Sequence, residues 1–230
     1  VWENEKATSQ ICFSRELSPT ILFGQNTMRV KEYFRMASCY YPAWDAAYAK
    51  QLTKEFGLDL KKKVCKMNKG MMSMVTITLA LASRAPVTIL DEPVAGLDVY
   101  MRDRFYDLLL KDYEETGRTF ILSTHIIEEA ANLLEETIIL NDGVITLKEN
   151  TQELIDSCRY ISGLAETVER AASGFRQIHE ESLGRSKTVC VRLRPGQQLD
   201  LSAYGNELTV SPVPLQKIFV YLTKRQGEAV

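Results

Sequence analysis

Two adjacent carboxylates, Asp91 and Glu92, are the residues best placed by type and context to do chemistry. They close an apolar run, Val87 to Leu90, that is flanked by Pro86 and Pro93. Such a run reads as a buried strand of a parallel sheet. Ligands of open α/β sheets collect at the carboxyl ends of these strands. There the first carboxylate can hold a hydrated Mg²⁺, a hard cation that takes oxygen ligands. The second can take a proton from an attacking water. The plainer alternative is that Asp91 and Glu92 only cap the next helix. Context favours the chemical reading: Gly96 marks a tight turn, Asp98 opens a helix, and His125 ends a later strand.

The elements that would position these groups follow from periodicity. A helix from Val99 to Thr116 carries an apolar stripe of Met101, Phe105, Leu108, Leu109 and Tyr113, and Gly117 stops it. Thr119 to His125 is the next strand, so strand, helix and strand form a parallel crossover that brings His125 near Asp91 and Glu92. Upstream, residues 10–14 form a short strand. A helix capped by Asn26 or Thr27 runs to about Ser38. A second helix is capped by Asp45, carries Tyr48, Leu52 and Phe56 on one face, and stops at Gly57. Met67-Asn-Lys-Gly-Met71 precedes a long apolar helix, Met72 to about Ser83. Its start offers unpaired N–H groups and a helix dipole, a ready anion site. An ordinary N-cap at Asn68 explains the same residues. Ile126 to Glu136 reads as a helix, and Thr137 to Leu147 as a hairpin turning at Asp142-Gly143. Beyond residue 150 the texture changes to a small α+β extension with no catalytic constellation, and His179, Cys158 and Cys190 read as structural.

Composition sets the bounds. A chain of 230 residues with 45% apolar content supports one full domain and a small second one. The balance of 28 basic and 30 acidic residues gives a net charge of −2, so no global field favours nucleic acid, and only a local basic patch remains open. Lys61-Lys-Lys63 is the obvious basic run and reads as a solvated face. Five scattered cysteines without a C-x-x-C and only two histidines argue against a disulfide framework, a zinc site or a histidine-rich metal centre. No signal peptide or apolar run of membrane-spanning length is present.

With these residues laid out, the chain resembles the nucleotide-binding domain of ATP-binding cassette (ABC) transporters. Ile89-Leu-Asp-Glu-Pro93 looks like the Walker B strand, and Ala95-Gly-Leu-Asp98 like the D-loop. Ser123-Thr-His125 looks like the switch-histidine loop, and Met67-Asn-Lys-Gly-Met71 like a variant signature motif. The resemblance covers about residues 9–150. It implies an α/β fold of the P-loop NTPase type, with a parallel sheet, a helical subdomain over about 26–84, and the α+β accessory domain at 151–230. It implies ATP and Mg²⁺ as cofactors and ATP hydrolysis that energises a transporter. Asp91 would bind Mg²⁺ through water, Glu92 would polarise the attacking water, and His125 would contact the γ-phosphate. Asn68, Lys69, Gly70 and Met71 would face the nucleotide of a second ATP-binding subunit, in a homo- or heterodimer. Asp98 would sit at that interface, and Glu16 would fall at the Q-loop. A separate transmembrane permease is implied, with this subunit cytoplasmic and peripheral on the inner face of the membrane, and no nucleic acid. No G-x-x-x-x-G-K-[S/T] loop occurs in the sequence. The resemblance places it upstream of Val1, so the sequence reads as N-terminally truncated, and the chain as given is not expected to hydrolyse ATP alone. A non-catalytic partner lending its signature face to a complete ATPase, or a soluble non-transport ABC ATPase, are the alternatives.

Overall fold

The computed structural model describes residues 11–14 and 28–223. They divide into two compact units, split between Ile126 and Ile127. The boundary expected near residue 150 thus lies inside the second unit, which also takes in the Asp142-Gly143 hairpin.

The first unit is built on a three-stranded parallel sheet of β1 (Ile11–Ser14), β2 (Val87–Asp91) and β3 (Thr119–Ser123), with β2 in the centre. The register pairs Asp91 with Ser123 and Ser14 with Leu90, so the strands end level at their carboxyl ends. Between β1 and β2 lie α1 (Val30–Tyr40), α2 (Ala46–Glu55), a 3₁₀ turn (Val64–Lys66) and α3 (Lys69–Ala82). Between β2 and β3 runs α4 (Val99–Thr116). Helix α3 is apolar nearly all round, and Val75, Ile77, Ala80, Leu81 and Ala82 are fully buried, which makes it the central helix of this unit.

Several elements depart from expectation for local reasons. Helix α1 starts after Arg29, whose N–H donates to Glu32 Oε2 at 2.8 Å, whereas the expected caps Asn26 and Thr27 lie outside the described residues. Helix α3 starts at Lys69, three residues earlier than expected, because Asn68 Oδ1 accepts the Met71 N–H at 2.9 Å. On α4, Tyr113 is 38% exposed and leaves the predicted stripe, and the charged Asp112 takes its place in the core.

Asp112 is the hub of a buried ion cluster. It accepts from Arg118 Nε and Nη2, both at 2.9 Å, and from Arg84 Nη1 at 3.1 Å. Arg118 also donates to the Leu81 carbonyl at 3.0 Å and reaches those of Ala80 and Ala85, so it satisfies carbonyls left open at the end of α3. Arg84 reaches Asp45 at 3.0 Å. The Tyr48 N–H, and then Arg84, hold the Asp45 carboxyl below the ordinary range.

The second unit opens with α5 (Ile127–Ala130), where a helix to Glu136 was expected. The helix closes at Ala130 in a turn, where the Leu133 N–H donates to the Ala130 carbonyl at 2.9 Å, and the chain from Glu136 onward is taken up as β4 (Glu136–Asn141). β4 pairs with β5 (Val144–Asn150) across a turn in which Asp142 and Gly143 both have positive φ, 49° and 78°. A two-residue turn of that kind matches the twist of a hairpin. Then follow α6 (Thr151–Ser157), β6 (Cys158–Leu164), α7 (Ala165–Ala172), β7 (Arg176–Leu183), β8 (Ser186–Arg192), β9 (Leu208–Pro212) and α8 (Leu215–Thr223). The sheet order is β7-β8-β6-β9, all antiparallel. Numbered within this sheet the order is 2-3-1-4, that of a split βαβ, ferredoxin-like domain. A 3₁₀ segment (Ser202–Glu207) stands where the second crossover helix would be.

Cys158 and Cys190 are buried in the core that α8 closes, with Leu154, Val213 and Ile218. Burial pushes the Cys190 thiol up to about 12 and raises that of Cys158. His179 stacks on Tyr221 with ring centroids 3.9 Å apart and lies 2.9 Å from Glu181. A thiol reagent at neutral pH is therefore expected to label the exposed Cys39 and Cys65 and to spare Cys158 and Cys190. Peptide mapping after brief alkylation checks this, and fast labelling of Cys190 would contradict the burial.

Candidate functional site

Strand β2 delivers Asp91 to its carboxyl end, and the chain then bends sharply. Glu92 adopts φ 47°, a left-handed conformation that is uncommon for a residue with a side chain. Strain of this type costs about 1–3 kcal/mol and collects at functional sites. The bend is held by the Glu92 N–H, which donates to the Ser123 carbonyl at 2.9 Å. One hydrogen bond thus ties the end of β2 to the end of β3, two residues before His125.

His125 Nδ1 lies 2.7 Å from Glu92 Oε2. Oε2 is buried, and His125 is the group that approaches it. The His125 side chain is 74% exposed and that of Glu92 29%, so the imidazole stands at the rim and the carboxylate points inward. The structure therefore brings Asp91, Glu92 and His125 to one place. Glu16 lies outside the described residues.

The other candidates gather around the turn after Glu92. Asp98 accepts the Met101 N–H at 2.9 Å and caps α4. Asn68 caps α3 in the same way, so the ordinary N-cap reading of Asn68 describes what the structure contains. The start of α3 rests against the turn. Ser73, almost fully buried, donates from Oγ to the Ala95 carbonyl at 2.7 Å. A Cβ on Gly70 would lie 2.5 Å from the Gly96 carbonyl oxygen, and one on Gly96 would lie 3.0 Å from the Gly70 nitrogen. Gly96 also has φ 79°. Gly70→Ala is expected to push α3 away from the turn and destabilise the first unit by about 1–3 kcal/mol. A urea-midpoint comparison with the parent checks this, and an unchanged midpoint would show that α3 yields to the Cβ without cost.

Two contributors were not legible in the sequence. Ser73 sits in an apolar helix and gave no sign of its bond to Ala95. Lys62, in the basic run, is half-buried, and its Nζ lies 3.3 Å from Met71 Sδ beside the start of α3. A thioether is a weak acceptor, so the ammonium keeps most of its capacity for an anion.

This fold and site define a class. Residues 12–131, just over half of the chain, match the family described as "AAA domain, putative AbiEii toxin, Type IV TA system". The chain belongs to that AAA-domain family. The chain is also similar to ATP-binding subunits of ABC transporters. The taurine import ATP-binding protein TauB of Escherichia coli K12 is 38% identical over 139 residues, 60% of this chain and 54% of that protein. The TauB of Shigella dysenteriae serotype 1 is 28% identical over 173 residues, 74% of this chain and 64% of its own length. This chain thus spans between about half and two thirds of the curated relatives it matches. A solved "ATP binding subunit of ABC transporter" superposes with TM-score 0.57 at 23% identity, covering 66% of this chain and 63% of that one. The "RNase-L Inhibitor" structure superposes with TM-score 0.53 at 18% identity, over 66% of this chain and 29% of that one. Both show the ABC ATPase fold, an α/β fold of the P-loop NTPase type. No helix among the described residues is long and apolar enough to cross a membrane.

Proposed function

We propose that this protein is an ATP-hydrolysing subunit that drives a membrane transporter. The observation that carries this reading is the meeting of Asp91, Glu92 and His125 at the carboxyl ends of two adjacent parallel strands. The residues fit a nucleotide with Mg²⁺. No cluster of three or more ligating side chains occurs among the described residues. Mg²⁺ commonly needs only one or two carboxylates and takes its other ligands from water and phosphate. Asp91 would supply that carboxylate. When bound, ATP with Mg²⁺ supplies the phosphoryl group and the neutralising charge.

The chain's own residues then have defined tasks. Glu92, whose Oε2 lies 2.7 Å from His125 Nδ1, accepts a proton from a water. His125, close to that oxygen, orients it and donates toward developing negative charge. Asn68, Lys69, Gly70 and Met71 present the N-terminus of α3, with Lys62 beside it, to the phosphates held by a second ATP-binding subunit. Asp98 holds the turn between the two groups by capping α4. The partners are that second subunit and a separate transmembrane permease, which places the protein on the cytoplasmic face of the membrane. Taurine is what the name of the relatives gives as their import substrate, and the permease would set the substrate here.

The test is magnesium-dependent phosphate release by the protein as its native host makes it. Release is expected with ATP and Mg²⁺, and to be lost in Asp91→Asn. A native protein that binds no ATP, or release indifferent to Asp91, would overturn the reading.

A further inference from the structure

We propose that the start of α1 and the loop before the 3₁₀ turn form a basic docking face for the anionic phospholipid headgroups of a membrane.

Two segments far apart in sequence lie side by side there. Arg29 and Lys63 form an antiparallel bridge. It is flanked by hydrogen bonds from the Val64 N–H to the Met28 carbonyl at 2.9 Å, and from the Val30 N–H to the Lys62 carbonyl at 3.1 Å. The Lys31 N–H continues the pairing to the Leu60 carbonyl at 3.1 Å. Alternation along such a pair sends neighbouring side chains to opposite sides. Val30 is accordingly fully buried and Lys62 half-buried, while Arg29, Lys31, Lys61 and Lys63 are exposed, with Lys66 close by in the 3₁₀ turn.

This arrangement is costly for an isolated protein. Like charges directly opposite on paired strands repel. Arg29 and Lys31 also stand at the N-terminus of α1, where the helix dipole is already positive. Two carboxylates, against five cations, offset part of this charge while accepting backbone N–H groups, Glu32 that of Arg29 and Asp59 that of Lys61, both at 2.8 Å. None of the five cations forms an ion pair with another side chain among the described residues. A polyanionic surface would relieve the repulsion.

Leu60 selects a membrane over other polyanions. It is 39% exposed next to Lys61, and a bilayer interface accepts an apolar side chain among its headgroups. A single-stranded nucleic acid would instead use stacking aromatics, and Tyr33 and Phe34 on α1 are buried. The choice of a lipid occupant rests in part on the reading that the protein works beside a membrane.

The experiment is co-sedimentation of the full chain with phosphatidylcholine vesicles, with or without phosphatidylglycerol. Binding is expected only to the anionic vesicles and is expected to weaken with added salt. Juxtamembrane cations contribute about fivefold each to such partitioning, so K61A/K63A is expected to weaken it about 25-fold. K50A/K54A removes the same charge from the exposed face of α2 and is expected to leave binding within about twofold of the parent. Circular dichroism confirms that both variants fold. The proposal is overturned if the parent ignores anionic vesicles, if both variants weaken equally, or if a DNA oligonucleotide displaces the vesicles at low concentration. No nucleotide is present in the assay. Lipid binding can therefore fail while ATP hydrolysis stands, and the reverse.

Discussion

Glu92→Gln is expected to lower ATP turnover by about 10²–10⁴-fold while nucleotide affinity stays unchanged, because a positioned general base contributes that much. Glutamine keeps the length and shape of glutamate, so the bend at φ 47° and the bond to the Ser123 carbonyl survive the change. What is lost is the basic lone pair on the buried oxygen beside His125. That oxygen is buried with His125 Nδ1 2.7 Å away, so the change also alters what the imidazole meets. Affinity would be read by titration with a fluorescent ATP analogue, and turnover by phosphate release. Turnover within tenfold of the parent would remove Glu92 from the chemistry.

Asp112→Ala is expected to destabilise the first unit by about 3–5 kcal/mol, the cost of stranding a buried charge by deleting its partner. Arg118 is 7% exposed and loses both of its shortest charged contacts, and Arg84 loses one of its two. Trp44, half-buried near Phe34, reports the unfolding of this unit by its fluorescence. Replacing the pair together, Asp112→Leu with Arg118→Met, is expected to recover part of the loss: no buried charge is stranded, but the carbonyls of Ala80, Leu81 and Ala85 lose the donor that Arg118 supplied. A single-variant loss below about 1 kcal/mol would reduce the cluster to the level of a surface ion pair.

The sequence carried much of the frame, for physical reasons visible in particular residues. The crossover from Val87 to Ser123 was legible because its strands are apolar runs bounded by proline or glycine and its helix is capped by Asp98. The Asp142-Gly143 turn was legible because its two positive φ values suit those residue types. Other features were not legible. Asp112 reads as a surface charge until Arg118, six residues on, is seen folding back to meet it. The helix expected to Glu136 stops at Ala130, and the residues from Glu136 pair instead with Val144 to Asn150, a partner that the local pattern of Ile126 to Glu136 does not show. Helix α6 was missed, although Asn150 followed by Glu153 is a cap signal, and Asn150 does accept the Glu153 N–H at 3.1 Å. At the candidate site the carboxylates and the histidine were readable from spacing. The contact of α3 with the turn was not, because it depends on how the helix leans.

That contact also constrains how the sequence can drift. At Gly70 and Gly96 the backbone of one segment meets the backbone of the other, so trimming a neighbouring side chain elsewhere cannot open room for a Cβ at Gly70. No second-site change restores a lost glycine there short of moving a whole helix. In a lineage of such chains these two positions should vary together with the docking of α3, or not at all. A randomised library at Gly70, selected for the greatest stability, should be enriched in glycine.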